Sequence, residues 1–126
     1  GNPYLVAVGV GEFKDAAIHK RPTADGDAKA LHALLTAPGA DGRPAVLGIP
    51  ADRAKLLTSA AATREAIVKA VEAAVENTTK DDLIVLAFFG RGSAVAEKPC
   101  FFTGDTVFKD RAKKALTPAD LEPAFK

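Results

Sequence analysis

The stretch LIVLAFFGRGS, residues 83–93, decides how the rest of the sequence is interpreted. Its first part, residues 83–89, is uninterrupted apolar sequence, which is typical of a strand buried on both faces of a parallel sheet. The run is too short to cross a membrane. Because Gly-Arg-Gly follows directly, the sequence predicts that Arg91 puts a cation at the open end of a buried strand.

The segments before this stretch alternate between strand and helix patterns. Strand cores are predicted at 4–10 and 54–58, and helices at 24–36 and 63–77. Strands that are apolar on both faces need helices on both sides of the sheet. The sequence therefore predicts an α/β fold, a three-layer α/β/α sandwich with a mainly parallel sheet. Its working site is expected beyond the carboxyl ends of the strands.

Both predicted helices have an apolar stripe at helical spacing. The buried positions are expected to be Ala24, Ala28, Leu31 and Leu35 in the first helix, and Ile67, Ala70, Val71, Ala74 and Val75 in the second. Thr23 or Asp25 is the candidate cap of the first helix, and Thr63 that of the second. Asp25 and Asp27 also suit a helix N-terminus because of the helix dipole.

The remaining segments are connections and a final short helix. Residues 37–52 are rich in glycine and proline and are predicted to form a loop. The sequence AVAEKPCFFTGDT, 94–106, is expected to form a β-ribbon or an irregular arm. A last helix is predicted over 117–125, with Thr117 as its cap and Pro118 in its first position.

Composition bounds the class of protein. The 126 residues suit one domain, and 48% of them are hydrophobic, which is enough for a core. The 17 basic and 16 acidic residues nearly cancel, so neither nucleic acid nor a membrane surface is expected as a partner. No signal peptide is visible, and a cytoplasmic location is the default expectation. No cofactor is predicted.

The sequence does not fit either of two phosphate-related interpretations, a dinucleotide-binding fingerprint and a phosphoacceptor receiver domain. GVGEFK, 9–14, lacks the third glycine of a dinucleotide fingerprint, and no helix follows at once. A phosphoacceptor receiver domain would need an aspartate at the end of the third strand to help hold magnesium. That strand ends in Phe88-Phe89-Gly90, so the receiver interpretation fails on chemistry.

The other chemically capable side chains have ordinary structural explanations. His19 is predicted in a loop and His32 beside the buried stripe of the first helix, as surface or packing residues. The single cysteine, Cys100, excludes an internal disulfide and a multi-cysteine metal site, and it is expected to be a small buried hydrophobe. Asp81 and Asp82 are expected to end a turn. No metal site is predicted.

The ordered set of segments resembles the caspase-like cysteine peptidases, especially their bacterial metacaspase-like branch. The similar segments are YLVAVGVGEF (4–13), ADGDAKALHALL (24–35) and LLTSAAATREAIVKAVEAAVENTTKDDLIVLAFFGRGS (56–93). Within them the matching pieces are Asp27-Ala28, Leu57-Thr58, Ala62-Thr63-Arg64 with Ile67, Asp81-Asp82-Leu83 and Gly90-Arg91-Gly92; FFTGDT (101–106) is similar to the segment that follows in the family.

The resemblance implies that residues 1–126 are the N-terminal, large-subunit-like portion of a caspase-like domain that lacks its C-terminal part. The catalytic histidine of the family falls on Arg91. The nucleophilic cysteine of the family, in an Asp-x-Cys context, would follow the helix that begins near Thr117, beyond Lys126. Cys100 precedes that helix and lacks the context, so the resemblance does not make it the nucleophile. The backbone N–H of Gly92 would serve the oxyanion hole.

These two departures, at the histidine and the cysteine positions, imply that the chain is catalytically inactive. Arginine stays protonated near neutral pH, so Arg91 cannot accept a proton from a thiol; its alternative interpretation is a solvated cation at a strand end. The functions that remain are a pseudoenzyme that binds or regulates, a fragment of a peptidase whose other part supplies the cysteine, and an unrelated α/β binding module. A peptide or protein partner, self-association or a further segment is expected to cover the edge of the sheet.

Overall fold

The structure, a computed structural model, describes residues 2–38, 42 and 46–126. Its main sheet has three strands, β1 (Tyr4–Gly9), β2 (Ala54–Thr58) and β3 (Ile84–Phe89). The order is β2-β1-β3, and both pairs are parallel. The predicted α/β class and the parallel pairing of these strands are therefore confirmed.

The register of the sheet brings the carboxyl ends of all three strands level with one another. Gly9, the last residue of β1, pairs with Thr58 on one side and Phe89 on the other. The three segments that follow the strands consequently start at the same edge of the sheet, which is where binding sites of open parallel sheets form.

Two long helices cover the sheet, α1 (Ala24–Thr36) and α2 (Arg64–Glu76). Side chains of a strand point alternately to its two faces. Accordingly Val6 and Val8 share an apolar cluster with Ile67 of α2, whereas Leu5 and Ala7 share another with residues of α1. Each predicted helical stripe is buried except for Leu31 and Val75, which stay partly exposed.

The two helices begin in different ways. Thr63 is the cap of α2 as predicted, because its hydroxyl accepts the N–H of Ala66 at 3.1 Å. Thr23 precedes α1, but its side chain makes no capping bond. Asp25 lies in the first turn of the helix, and its carboxylate accepts the N–H of Gly11.

The prediction of a fully buried third strand is wrong. All six residues of β3 are only partly buried, and Leu83, just before it, is 53% exposed. The reason is the strand order: among the described residues β3 pairs with β1 alone, so it is an edge strand. An apolar sequence shows that a strand favours a nonpolar environment. It does not determine how many strands pair with it.

A hairpin follows β3 directly, formed by β4 (Gly92–Val95) and β5 (Lys98–Phe101). It begins at Gly92, inside the Gly-Arg-Gly motif, and so starts earlier than the predicted ribbon. Its two turn residues, Ala96 and Glu97, have φ of 49° and 66°, as a type I′ hairpin turn requires.

The C-terminal part contains only short helices, α3 (Arg111–Lys114) and α4 (Pro118–Leu121). The helix predicted over 117–125 starts as expected but changes to a 3-10 turn at Glu122, next to Pro123, which lacks the N–H that a continuing α-helix needs. Asp120 accepts both the backbone N–H and the hydroxyl of Thr117, and this closes the first turn.

Part of the predicted 37–52 loop, residues 39–41 and 43–45, lies outside the described residues; the loop ends in a 3-10 turn at Ala51–Arg53. In the part of the chain that the structure describes, no helix has the length and apolar character needed to span a membrane.

Candidate functional site

A cleft of about 380 Å³ opens at the carboxyl ends of β1 and β2. Its lining residues are Glu12, Phe13, Lys14, Ser59, Ala60, Gly104 and Asp105. The first five follow the strands, which is the position that the sequence predicted. The contribution of the turn at 103–106 was not predicted, because nothing in its local sequence indicates which loop it will contact.

Arg91 holds the segment between β1 and α1 through two hydrogen bonds. Its Nε donates to the carbonyl oxygen of His19 at 2.7 Å, and its Nη2 donates to that of Lys20 at 2.9 Å. Hydrogen bonds from a charged donor are stronger than neutral ones. At the position where the resemblance expects a proton acceptor, the chain therefore has a donor that holds a neighbouring loop in place.

The hairpin packs tightly against Gly92 and lies close to Gly90. A Cβ on Gly92 would lie 2.5 Å from the carbonyl oxygen of Cys100, and one on Gly90 would lie 3.1 Å from the Phe101 ring. The close approach of β5 is therefore a structural reason for glycine at these two positions.

The hairpin ladder determines the direction of the Gly92 backbone N–H. Phe102 donates its N–H to Arg91 at 2.9 Å, so Arg91 and Phe102 form a hydrogen-bonded pair and the next pair, Gly92 and Phe101, does not. The N–H of Gly92 therefore points away from β5. This orientation is compatible with the donor role that the resemblance implies for Gly92.

Asp25 and Ser59 join the three elements that border the cleft. The Ser59 hydroxyl lies 2.9 and 2.7 Å from the two carboxylate oxygens of Asp25, and the same carboxylate accepts the N–H of Gly11 at 2.7 Å. Ser59 has a φ of 42°, a conformation that non-glycine residues seldom adopt. The predicted role of Asp25 at the helix N-terminus missed this contact between distant segments.

The Thr-Gly-Asp-Thr turn, residues 103–106, is held by buried hydroxyl groups. Thr103 and Thr106 are fully buried, and their hydroxyls lie 2.7 Å apart. The Thr103 hydroxyl oxygen also lies 2.9 Å from an Asp105 carboxylate oxygen and 3.0 Å from the Lys114 carbonyl oxygen. The turn reaches the cleft through Gly104, whose carbonyl accepts the N–H of Lys14. It therefore forms one wall of the cleft.

The remaining predicted candidates lie apart from one another. His32 approaches the Ala54 carbonyl with Nε2 at 3.4 Å, on α1, whereas His19 is exposed and contacts Arg91 through its backbone. Cys100 is 6% exposed and packs with Ile18, as expected of a small hydrophobe. Within residues 2–38, 42 and 46–126, no group of three or more histidine, cysteine or acidic side chains is arranged to hold a metal ion.

Two partly buried carboxylates, Asp15 and Asp82, have lowered pKa values. Asp15 accepts the N–H of Ala17 and that of Phe108, and these bonds hold its pKa below the usual range. Asp82 accepts the N–H groups of Thr79 and Asn2, which lower its pKa in the same way. Asp15 thus ties the β1–α1 segment to the region after the Thr-Gly-Asp-Thr turn.

These shifts predict a loss of stability in acid. A carboxylate whose pKa is lower in the folded state stabilises the fold above its unfolded pKa, about 4, and this contribution disappears as the pH falls through the folded pKa. We expect the melting temperature to fall below about pH 4, and Asp15→Asn with Asp82→Asn to flatten that fall. A melting curve at several pH values checks this; an equally steep acid limb in the double variant would contradict it.

Comparison with protein-family models finds no match for this chain, and comparison with curated proteins finds no relative either.

Proposed function

We propose that this chain is a large-subunit-like portion of a three-layer, caspase-like α/β/α sandwich that binds a peptide or protein without cleaving it. Two features support the fold assignment. The strands are parallel in the order β2-β1-β3. Gly90-Arg91-Gly92 follows β3 at the edge of the sheet where the resemblance expects the catalytic histidine motif.

The hydrogen bonds of Arg91 support the proposal that the chain does not cleave its partner. Cleavage of an amide by a thiol needs a group that takes the thiol proton and then gives a proton to the leaving amine. A guanidinium keeps its proton near neutral pH. The guanidinium of Arg91 also donates to the backbone carbonyls of His19 and Lys20. These bonds hold the segment between β1 and α1 in place.

The burial of the single cysteine supports the same proposal. A nucleophile has to reach the carbonyl carbon of the substrate, and it needs a base within hydrogen-bond reach. Cys100 is 6% exposed and packs among apolar residues that include Ile18 and Phe102. It has the surroundings of a structural thiol.

We predict that the purified chain does not turn over fluorogenic peptides that end in Arg, Lys or Asp before the reporter. General acid–base catalysis alone is worth about 10²–10⁴-fold, and the nucleophile is missing as well. Arg91→His is therefore expected to stay inactive. Cys100→Ala and His19→Ala serve as controls. Turnover that Cys100→Ala abolishes would make Cys100 the nucleophile and refute the non-catalytic role.

A second candidate function is that of a peptidase fragment whose other part supplies the cysteine. It is favoured by the open edge of β3 and by the adjacent apolar groove of about 350 Å³, which suit a further strand. The test is a chain extended by a segment with Asp-x-Cys that also carries Arg91→His. Recovery of cleavage would support this candidate, and continued inactivity would favour the binding role.

A further inference from the structure

We infer that a groove between β2 and α2, here called the β2–α2 groove, is a binding site for a small amphiphilic carboxylate, a molecule with an apolar chain and one carboxylate group. The groove has a volume of about 420 Å³ and lies on the face of the sheet that α2 covers. It shares no lining residue with the cleft at the carboxyl ends of the strands. The inference therefore goes beyond the proposed function and does not depend on it.

The walls of the β2–α2 groove are mainly apolar. On the side of the strands they are formed by Leu57 and Tyr4, which belong to the same apolar cluster as Ile67 of α2. Three alanines at helical spacing on α2 form the opposite wall: Ala66, Ala70 and Ala73. Because alanine side chains are short, they leave a space where α2 passes β2. A concave site of this volume, with apolar walls and a few polar groups, is typical of small-molecule binding.

Lys55 places a positive charge on this face of the sheet. In the register of β1 and β2 it lies opposite Val6, which is fully buried under α2. Lys55 alternates with Leu57 along β2, so both side chains leave the strand on the face of α2, and both line the groove. Lysine is seldom buried, because its ammonium group needs water or a partner. The charge therefore stands beside an apolar groove.

Lys69 of α2 lines the groove from the other side. In the part of the chain that the structure describes, neither Lys55 nor Lys69 forms an ion pair. The acidic residues about one helical turn from Lys69, Glu65 and Glu72, line a neighbouring cleft and not this groove. The residues that line the groove thus contribute two cations and no anion, which favours a ligand with a negative charge.

Tyr4 adds a hydroxyl group to the two cations. The residue is only 8% exposed, and the guanidinium carbon of Arg53 lies 5.3 Å from the centre of its ring. Its hydroxyl makes no hydrogen bond with a described residue, yet none of the fully buried side-chain oxygens and nitrogens of those residues lacks a partner. The hydroxyl must consequently reach solvent, and the β2–α2 groove is the opening that the Tyr4 side chain lines.

The three polar groups and the walls define the class of ligand. The two oxygens of a carboxylate accept several hydrogen bonds at once, and such bonds are stronger when donor and acceptor are charged. Two ammonium groups and one hydroxyl match this acceptor. The apolar walls favour a ligand whose remaining part is an apolar chain, because its burial removes nonpolar surface from water. A cationic ligand would be repelled by both lysines.

The probe is sodium octanoate, titrated into the purified, isotope-labelled chain and followed by NMR. Octanamide has a similar shape without the charge, and acetate has the charge without the chain. We expect octanoate to shift the amide signals of Leu57 and Ala70 and to bind about tenfold more tightly than octanamide. Acetate is expected to leave these signals almost unchanged, because it cannot fill the apolar part of the groove.

Variants of the chain separate recognition of the carboxylate from folding. Lys55→Gln with Lys69→Gln is expected to weaken octanoate binding about tenfold and to leave octanamide binding unchanged. Tyr4→Phe keeps the ring and removes the hydroxyl, so it should weaken octanoate binding by a factor of about three to ten. The matched control is Lys29→Gln with Lys80→Gln, which removes two exposed lysines outside the groove and should change neither affinity. Circular dichroism checks that each variant is folded.

Each alternative outcome overturns one part of the inference. Equal affinity for octanoate and octanamide would overturn recognition of the carboxylate. Octanoate that shifts other signals and leaves those of Leu57 and Ala70 in place would overturn the location of the site. Equal weakening by the control variant would mean that general charge attraction, and not the β2–α2 groove, holds the anion. Peptide cleavage by the chain would refute the proposed function and leave this site unaffected.

Discussion

Gly104→Ala is expected to destabilise the fold by about 3 kcal/mol and to open the wall of the cleft. A Cβ at this position would collide with the carbonyl oxygen of Ser59 and would lie 3.2 Å from the Cα of Ala60. Both neighbours are backbone atoms, so no side-chain rotation relieves the collision. The turn would have to move, and the bonds of Gly104 with Lys14 and Ala62 would weaken. Urea unfolding measures the loss.

Gly26→Ala is the matched control for this prediction. Gly26 lies inside α1, and a Cβ there would have no atom within 4 Å. Alanine is favoured over glycine in a helix by about 0.8–1 kcal/mol, so this variant is expected to be slightly more stable than the parent chain. If the two variants unfold at similar urea concentrations, Gly104 is not the tight contact described here.

Ile67→Ala is expected to cost about 3 kcal/mol of the free energy of unfolding. Ile67 is fully buried where α2 packs on β1, in the same cluster as Val6 and Val8. Removing its outer carbons leaves a cavity that a packed sheet cannot collapse to fill. Because a typical domain is stable by only about 5–15 kcal/mol, the melting temperature should fall clearly.

Leu34→Ala provides the comparison for the core prediction. Leu34 lies on α1 but is 56% exposed, so its truncation is expected to change stability by no more than about 0.5 kcal/mol. The two variants together test which faces of the helices are buried, as well as the size of the change in the free energy of unfolding. A larger loss in Leu34→Ala than in Ile67→Ala would mean that the packing of the helices on the sheet is wrong.

The local apolar patterns of the sequence were enough to predict the strands, the long helices and the parallel sheet. Unbroken apolar runs in the strands and apolar residues at helical spacing record how each segment meets a nonpolar environment. For this reason the stripe of α2, including Ile67 and Ala70, and the cap at Thr63 agree with the structure. The cleft lies at the carboxyl ends of the strands because the strands are parallel, and the alternation of strand and helix segments predicted that parallel pairing.

Only the tertiary structure decided which distant residues meet at that site. The contacts of Asp25 with Ser59 and of Arg91 with the carbonyls of His19 and Lys20 join positions 34 to 72 residues apart. Such contacts leave no periodic signal, because each depends on the geometry of several elements at once. The half-exposed state of β3 has the same origin. Its apolar sequence determined that it would be a strand, and the number of its neighbours determined how much of it would be covered.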